Sequence, residues 1–532
     1  MKSVEKRIVF VSHFDIDEKQ IDLLNKSKPA AKMFSDLHRW VKVEYGDKLW
    51  NEFCLLTHIM DKQPNHFNIW DMPLFSGIYI ESLIANLSPE TRTLFINNIN
   101  ETNRQAVIEK IDGFKPTHLF LSTTFYLGLG HVHKVLDEFS GFSHIPIVLG
   151  GNGIYKELSA DLEHDVISDL PKNVYCVNSR YGEREIADIL KGEIEKHPDN
   201  RIIKHQESED RNQTAYDPDR WSINFNKVNM NHTLMPIRTS MGCMFNCAFC
   251  SYPVVGGGFY EKDIRITLKQ LKVLTQKQIK AVHFLDDTLN VPLKRFKLLL
   301  KGMLDNDLTN FDVHSFVRCQ YLDEETVRQM KQCGWSACLL GIESGSDVIL
   351  KNMNKNATVE KFQVGINLLK KYDIVTFAAI IVGFPGETEA TVQETIDFLN
   401  QSGVDFCYVQ PFYYLHNSPI HQQRAKYGLS GKGLQWEHNT MNSGECMKML
   451  NEVFFQVTGP IYANEEWAMW EYIYFKFKGY DLEFYKKFRR FINTLRANDI
   501  KKYHGIEATY SKMLLEADFL QNVNSAISAP LR

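Results

Sequence analysis

Strand-like and helix-like runs alternate twice along this chain of 532 residues, and that rhythm limits the fold more than any other feature. In the first stretch "RIVFVSH", "TRTLFINNI", "THLFLSTT" and "IPIVLGGNG" are short and rich in β-branched and aromatic residues. Between them lie amphipathic segments such as "GIYIESLIANL", "NRQAVIEKIDGF" and "HVHKVLDEFSGF". Strands separated by helices must be joined by crossovers, which predicts a doubly wound parallel sheet over residues 1–195. The aromatic, helical-looking segment from Phe14 to Asp71 breaks the rhythm and reads as an insertion. Residues 196–232 are polar and read as a linker. Alternation resumes over 233–420 with "LMPIRTS", "AVHFLDD", "FDVHSFVR", "ACLLGIE", "VTFAAIIVGF" and "VDFCYVQPFYYL". Six such βα units predict a partial (β/α)6 barrel of TIM type, with its chemistry at the C-terminal ends of the strands. Residues 421–532 read as a helical, strongly aromatic domain.

The composition, 44% hydrophobic and 24% charged, suits a globular protein with a sizeable core. A net charge of −4, from 61 Lys and Arg against 65 Asp and Glu, offers no bulk attraction to nucleic acid. "MKSVEKRIVFVSHFD" lacks the apolar core of a signal peptide, and no apolar run reaches membrane-span length. The expectation is therefore a cytoplasmic protein with no membrane and no nucleic-acid partner. In a reducing compartment, clustered cysteines point to metal or redox chemistry. Three of the ten cysteines, Cys243, Cys247 and Cys250, stand in "RTSMGCMFNCAFCSYP", directly after the first barrel strand. Structural zinc takes four protein ligands, whereas three thiolates on a cubane cluster leave one iron open to a substrate or cofactor. The spacing alone leaves zinc as the alternative. The other seven cysteines are scattered, mostly in apolar runs, and read as core packing.

The Cys-x3-Cys-x2-Cys spacing, with Phe249 just before the last cysteine, resembles the radical S-adenosylmethionine superfamily. The resemblance implies one 4Fe–4S cluster on the three cysteines, with S-adenosylmethionine on its open iron and cleaved by one electron to a 5′-deoxyadenosyl radical. It also implies cofactor contacts at successive strand ends: Asp286 or Asp287 for the amino group, Arg318 for the carboxylate, and Glu343 with Ser344 for the ribose or amino group. Gly383 and Gly386 would let the backbone approach the adenine. No second set of cysteines can hold another cubane, so a single cluster is expected.

The N-terminal region resembles the Rossmann-like cobalamin-binding domain found ahead of the barrel in many of these enzymes. By that resemblance Ser122, Thr123 and Thr124 after the third strand, and Gly150 and Gly151 after the fourth, line the slot for the nucleotide tail. The Asp-x-His-x-x-Gly motif that supplies a lower cobalt ligand elsewhere is missing. "DLHRWV" at Asp36–Val41 keeps Asp and His without the glycine and reads as a surface helix, and His131 and His133 read as helix-face residues. "QWEHNTM", Gln435 to Met441 with Trp436 and His438 within it, resembles the branch that includes phosphinate-forming P-methyltransferases, although a helix N-cap by Asn439 or Thr440 is the simpler reading. The function these resemblances imply is a cobalamin-dependent radical S-adenosylmethionine methyltransferase acting on an unactivated carbon or a P–H centre. Its partners would be a small-molecule or peptide substrate and an external one-electron donor of flavodoxin or ferredoxin type. No protein nucleophile is assigned, because the cofactors carry the difficult chemistry. Ring contraction or cyclisation without methyl transfer, and a non-catalytic Fe–S or cobalamin sensor, are the alternatives.

Overall fold

In the computed structural model the described residues are 5–14, 42–46, 48–52, 55, 58–59, 75–100, 103–124, 126, 129–158, 163–179, 182–204, 219, 222–228, 234–252, 258–463 and 468–504. "DLHRWV" lies outside them. The chain forms two compact units: Met1–Lys26, Trp70–Pro236 and Tyr260–Ile279 in the first, and Ser27–Ile69, Ile237–Phe259 and Lys280–Arg532 in the second.

The first unit is built on six strands, β1 (Arg7–Val11), β2 (Arg92–Ile96), β3 (His118–Ser122), β4 (Ile147–Gly150), β5 (Val174–Val177) and β6 (Ile202–Ile203). They pair in parallel in the order β2-β1-β3-β4-β5-β6. The central strands β3, β4 and β5 are buried along nearly their whole length because both faces are covered. Val9, Val11, Leu119, Leu121, Ile147 and Leu149 enter one core with helical Val132, Val135 and Ile154. Ile8, Phe10, Phe120, Val148 and Tyr175 enter the other with helical Ile80, Ile84, Ile186 and Ile189. The strand order reverses at β1, so the crevice between the C-terminal ends of β1 and β3 is the topological switch point, where doubly wound folds bind ligands.

The second unit carries the partial barrel. β7 (Leu234–Ile237) ends as the unit begins, and β8 (Ala281–Phe284), β9 (Asp312–Val317), β10 (Trp335–Glu343), β11 (Val375–Val382) and β12 (Phe406–Pro411) follow in sequential order. The pairings from β8 onward are parallel. A short seventh strand, β13 (Ile461–Tyr462), comes from the C-terminal region and extends the wall beyond β12. Helices Leu293–Asp305, Glu324–Gln332, Val359–Lys371 and Glu389–Ser402 fill the crossovers. Their packing is exemplified by Trp335, whose ring stacks on Phe284 at 5.5 Å and meets Phe296 edge-on at 5.7 Å.

Two regions differ from the sequence reading. Within the segment read as a helical insertion, Lys42–Tyr45 and Lys48–Asn51 form an antiparallel hairpin closed by Gly46 at φ +62°. The region after residue 421 carries, between a one-turn helix at Arg424–Tyr427 and its longer helices, a three-stranded antiparallel sheet of Ser430–Lys432, Gln435–His438 and Met441–Asn442. Among the described residues no helix is long and apolar enough to cross a membrane.

Candidate functional site

The cysteine loop is held along its length by bonds from neighbouring barrel strands. Leu285 N–H donates to Ile237 O at 2.9 Å, which aligns the end of β7 with the end of β8. Asp286, wholly buried, accepts from Thr239 N–H (3.1 and 3.0 Å), Thr239 Oγ1 (2.7 Å) and Ser240 Oγ (2.6 Å). Gly242 then turns at φ +83°, and a Cβ there would stand 1.7 Å from Gly258 O, so only glycine fits. Farther on, Ala248 is gripped at both ends, donating to Met353 O at 2.8 Å and accepting from Ile420 N–H at 2.9 Å.

Each thiol on this loop has its own neighbour. Cys247 Sγ, buried, accepts from Arg318 Nη2 at 3.0 Å. Cys250 Sγ accepts from Tyr252 N–H at 3.4 Å, and Cys243 Sγ lies 3.6 Å from Thr288 Oγ1. Burial pushes the Cys250 thiol up to about 11; the Tyr252 N–H opposes this, while Cys247, Cys243 and Glu343 add to it. The three sulfurs therefore sense one another, and holding them as thiolates together calls for positive charge of the kind iron supplies. Among the described residues no three His, Cys, Asp or Glu side chains converge as ligands of one metal ion. The donor set fits a cluster.

The strand ends place the other sequence candidates unequally. Asp286 is committed to the loop, whereas its neighbour Asp287 has a buried Oδ2 with no hydrogen-bond partner. Burial raises the Asp287 pKa, with Arg238 and Tyr252 opposing and Asp286 adding. Arg318 is clamped through its backbone, its N–H donating to Asn290 Oδ1 and its carbonyl accepting from Asn290 Nδ2, both at 2.9 Å. Glu343 ends β10 at a register shift with φ +69°, a conformation costly for a residue with a Cβ. Its carboxylate pairs with buried Lys355 at 2.8 Å, and the Lys355 ammonium lies 5.9 Å from the Phe249 ring centre. Ser344 turns inward, its Oγ 3.3 Å from Thr395 Oγ1. Gly383 (φ +90°) makes room for Trp436, whose Cη2 would lie 2.6 Å from an added Cβ, and Gly386 (φ +95°) makes room for Asn352.

Trp436 and His438 are packed beneath that turn. Their rings stack at 5.2 Å, Trp436 Nε1 donates to Phe412 O, and His438 Nε2 donates to Gly383 O at 3.1 Å. Thr440 Oγ1 lies 3.1 Å from His438 Nδ1, so both ring nitrogens are occupied. The N-cap expected at Asn439 or Thr440 is instead Asn442, because the chain is still in its sheet through Met441–Asn442.

In the first unit the candidate cobalamin residues gather at the ends of β3 and β4. Thr123 is fully buried and bonds Gly150 O (2.8 Å) and Ile154 N–H (2.9 Å), joining the two strand ends. Ser122 Oγ lies 3.1 Å from Thr124 Oγ1. Gly151 has φ +95°, and a Cβ would come within 2.6 Å of Thr124 Oγ1. Gly150 has ordinary φ and only Val177 near it, so space rather than strain accompanies that position. A Cβ-free strand end beside a switch point fits a bulky cofactor tail. His131 stacks on Tyr126 at 4.0 Å and its Nε2 lies 3.3 Å from Phe14 O, and His133 pairs with Asp169 at 2.7 Å.

Sequence reasoning missed Gly242, Asn290 and Lys355, which support the loop and Arg318. Of these only Gly242, adjoining Cys243, carried a local signal.

Residues 237–399, which hold the cysteine loop and strands β8 to β11, match the family model of the radical SAM superfamily. Among curated proteins, the bacteriochlorophyllide d C-12(1)-methyltransferase of Chlorobaculum tepidum is 27% identical over 251 residues, 44% of this chain and 52% of that one. The chain spans about half or less of the length of the curated relatives it matches first. Among solved structures, the radical S-adenosylmethionine methyltransferase TsrM from Kitasatospora setae, with cobalamin and a [4Fe-4S] cluster bound, superposes with a TM-score of 0.59. It is 11% identical, and the match covers 94% of this chain and 100% of that one. The cobalamin-dependent S-adenosylmethionine radical enzyme OxsB, with aqua-cobalamin bound, gives 0.55 at 13% identity, covering 98% of this chain and 79% of that one. At these identities the likeness shows a shared fold: a doubly wound sheet ahead of a radical S-adenosylmethionine barrel.

Proposed function

We propose that the chain is a cobalamin-dependent radical S-adenosylmethionine methyltransferase that methylates an unactivated carbon, or a P–H centre, of a small-molecule or peptide substrate. The observation that supports this most is the union, in one chain, of a three-cysteine loop on a parallel barrel with a doubly wound sheet that has glycines at the end of β4, next to the strand bordering its switch point. When bound, a 4Fe–4S cluster would supply the electron that cleaves S-adenosylmethionine, and cobalamin would supply the methyl carrier. Cys243, Cys247 and Cys250 would hold the cluster, and Asp287, with its open Oδ2, would receive the amino group of S-adenosylmethionine. Glu343, held by Lys355, faces the same loop and would contact the ribose or amino group. Ser122, Thr124, Gly150 and Gly151 would line the nucleotide tail. The electron would come from an external donor of flavodoxin or ferredoxin type.

The test is an anaerobic incubation of the reconstituted chain with reductant, S-adenosylmethionine, cobalamin and candidate substrates, read by mass spectrometry. Formation of 5′-deoxyadenosine together with a product heavier by one methyl group is expected. Formation of 5′-deoxyadenosine with a rearranged product of unchanged carbon count would replace methyl transfer by ring contraction or cyclisation.

A further inference from the structure

Arg318 is where the geometry departs most from the role that the barrel position suggests. A guanidinium grips a carboxylate with two parallel N–H bonds, so a residue orienting S-adenosylmethionine needs a free fork. Here one N–H of each terminal nitrogen is already committed within the protein: Nη1 donates to Lys355 O at 2.9 Å and Nη2 donates to Cys247 Sγ at 3.0 Å. The guanidinium also lies 3.5 Å from the centre of the Phe245 ring, two residues before that cysteine. The side chain is 7% exposed, and among the described residues no carboxylate pairs with it. A buried cation without a counter-ion is costly, and the sulfur it touches is the anion at hand once that cysteine is a thiolate.

We infer that Arg318 is a positioning residue for the cluster: it donates a charge-assisted hydrogen bond to the Cys247 thiolate and so sets the reduction potential of the iron site. The inference rests on the cluster assignment above. Reduction adds negative charge to a site already bearing thiolates, and an N–H donor with a positive charge at a ligand sulfur favours the reduced state. Asn290 and Lys355 fix the donor by holding the Arg318 backbone and Nη1, and Phe245 fixes its plane.

The experiment is an anaerobic redox titration, followed by EPR, on the full-length chain reconstituted with iron and sulfide, comparing wild type, Arg318→Gln and Arg318→Lys. Iron content and S-adenosylmethionine affinity are measured on the same samples. Arg318→Gln is expected to keep its iron and to be about tenfold harder to reduce, which for a one-electron couple is a shift of about 59 mV to lower potential. Arg318→Lys keeps the charge without the planar fork and should recover part of that shift. A potential unchanged in Arg318→Gln overturns the inference, most plainly if S-adenosylmethionine affinity falls instead, since the residue would then serve the carboxylate. Where Arg318→Gln fails to retain a cluster, an unchanged potential in Arg318→Lys overturns it equally. Wild-type chain that takes up no iron would defeat the cluster assignment itself, a separate result.

Discussion

Glu387 is enclosed in the turn after β11, where its carboxylate accepts from Gly383 N–H, and burial pushes its pKa up to about 8, with the Gly383 and Phe384 amides opposing. Between 4.5 and about 8 the unfolded chain gives up this proton while the folded chain keeps it. The contribution of Glu387 to stability is therefore fully present below 4.5 and declines as pH rises, by at most about 1.4 kcal/mol per pH unit. Glu387→Gln should flatten the dependence of the urea midpoint on pH across that window; an unchanged slope would mean that the carboxyl ionises freely in the fold. At this scale the cysteine triad was legible because its spacing is local, and the strand-end positions of Asp286, Asp287, Arg318 and Glu343 followed from the barrel rhythm. What could not be read was which way each side chain turns. Asp286 and Asp287 follow the end of β8, where the chain enters a turn, and they part there, one bonding Thr239 and Ser240, the other keeping an open buried oxygen. Their equivalence in sequence hides a division of labour that only the fold makes.

Helix Ser443–Gln456 begins with a reciprocal capping box: Asn442 Oδ1 accepts from Gly444 and Glu445 N–H, and Glu445 Oε2 accepts from Asn442 N–H at 2.8 Å. Asn442→Ala removes the acceptor and should cost about 1 kcal/mol, read as a lower denaturation midpoint; a change within error would show that the box contributes nothing there. The signal, "NSGE", is an Asn followed three residues later by Glu, and it was legible. It was overlooked in favour of Asn439 and Thr440 because the short strands Gln435–His438 and Met441–Asn442 carry no sustained alternation. The parallel strands show the converse: β3, β4, β5 and β11 are largely apolar and alternate with helices, and both sheets were readable from that alternation.

Across the second unit as a whole, residues far apart in sequence share a buried ionic network. Arg489 Nη1 reaches Glu52 at 2.7 Å and Glu471 at 3.2 Å, Arg496 also contacts Glu52, and Tyr485 donates to Glu471 at 2.9 Å. Burial alone would raise Glu52, yet Arg489 and Arg496 hold it below the ordinary carboxylate range. Glu52→Gln would remove the carboxylate that Arg489 and Arg496 share and should destabilise the chain by roughly 3–5 kcal/mol in urea unfolding; a loss under 1 kcal/mol would mean that the network is solvated. No local pattern announces a partner 437 residues away, which is why the segment before residue 71 read as an insertion in the N-terminal domain. The proposed function rests above all on one cluster held by the cysteine loop. Iron, sulfide and cobalamin should therefore be quantified on chain purified anaerobically with cobalamin supplied, beside the variant in which Cys243, Cys247 and Cys250 are all alanine. Wild type should carry about four iron, about four sulfide and about one cobalamin per chain, and the variant should lose the iron and sulfide while keeping the cobalamin. A variant that retains the full iron content would contradict the account.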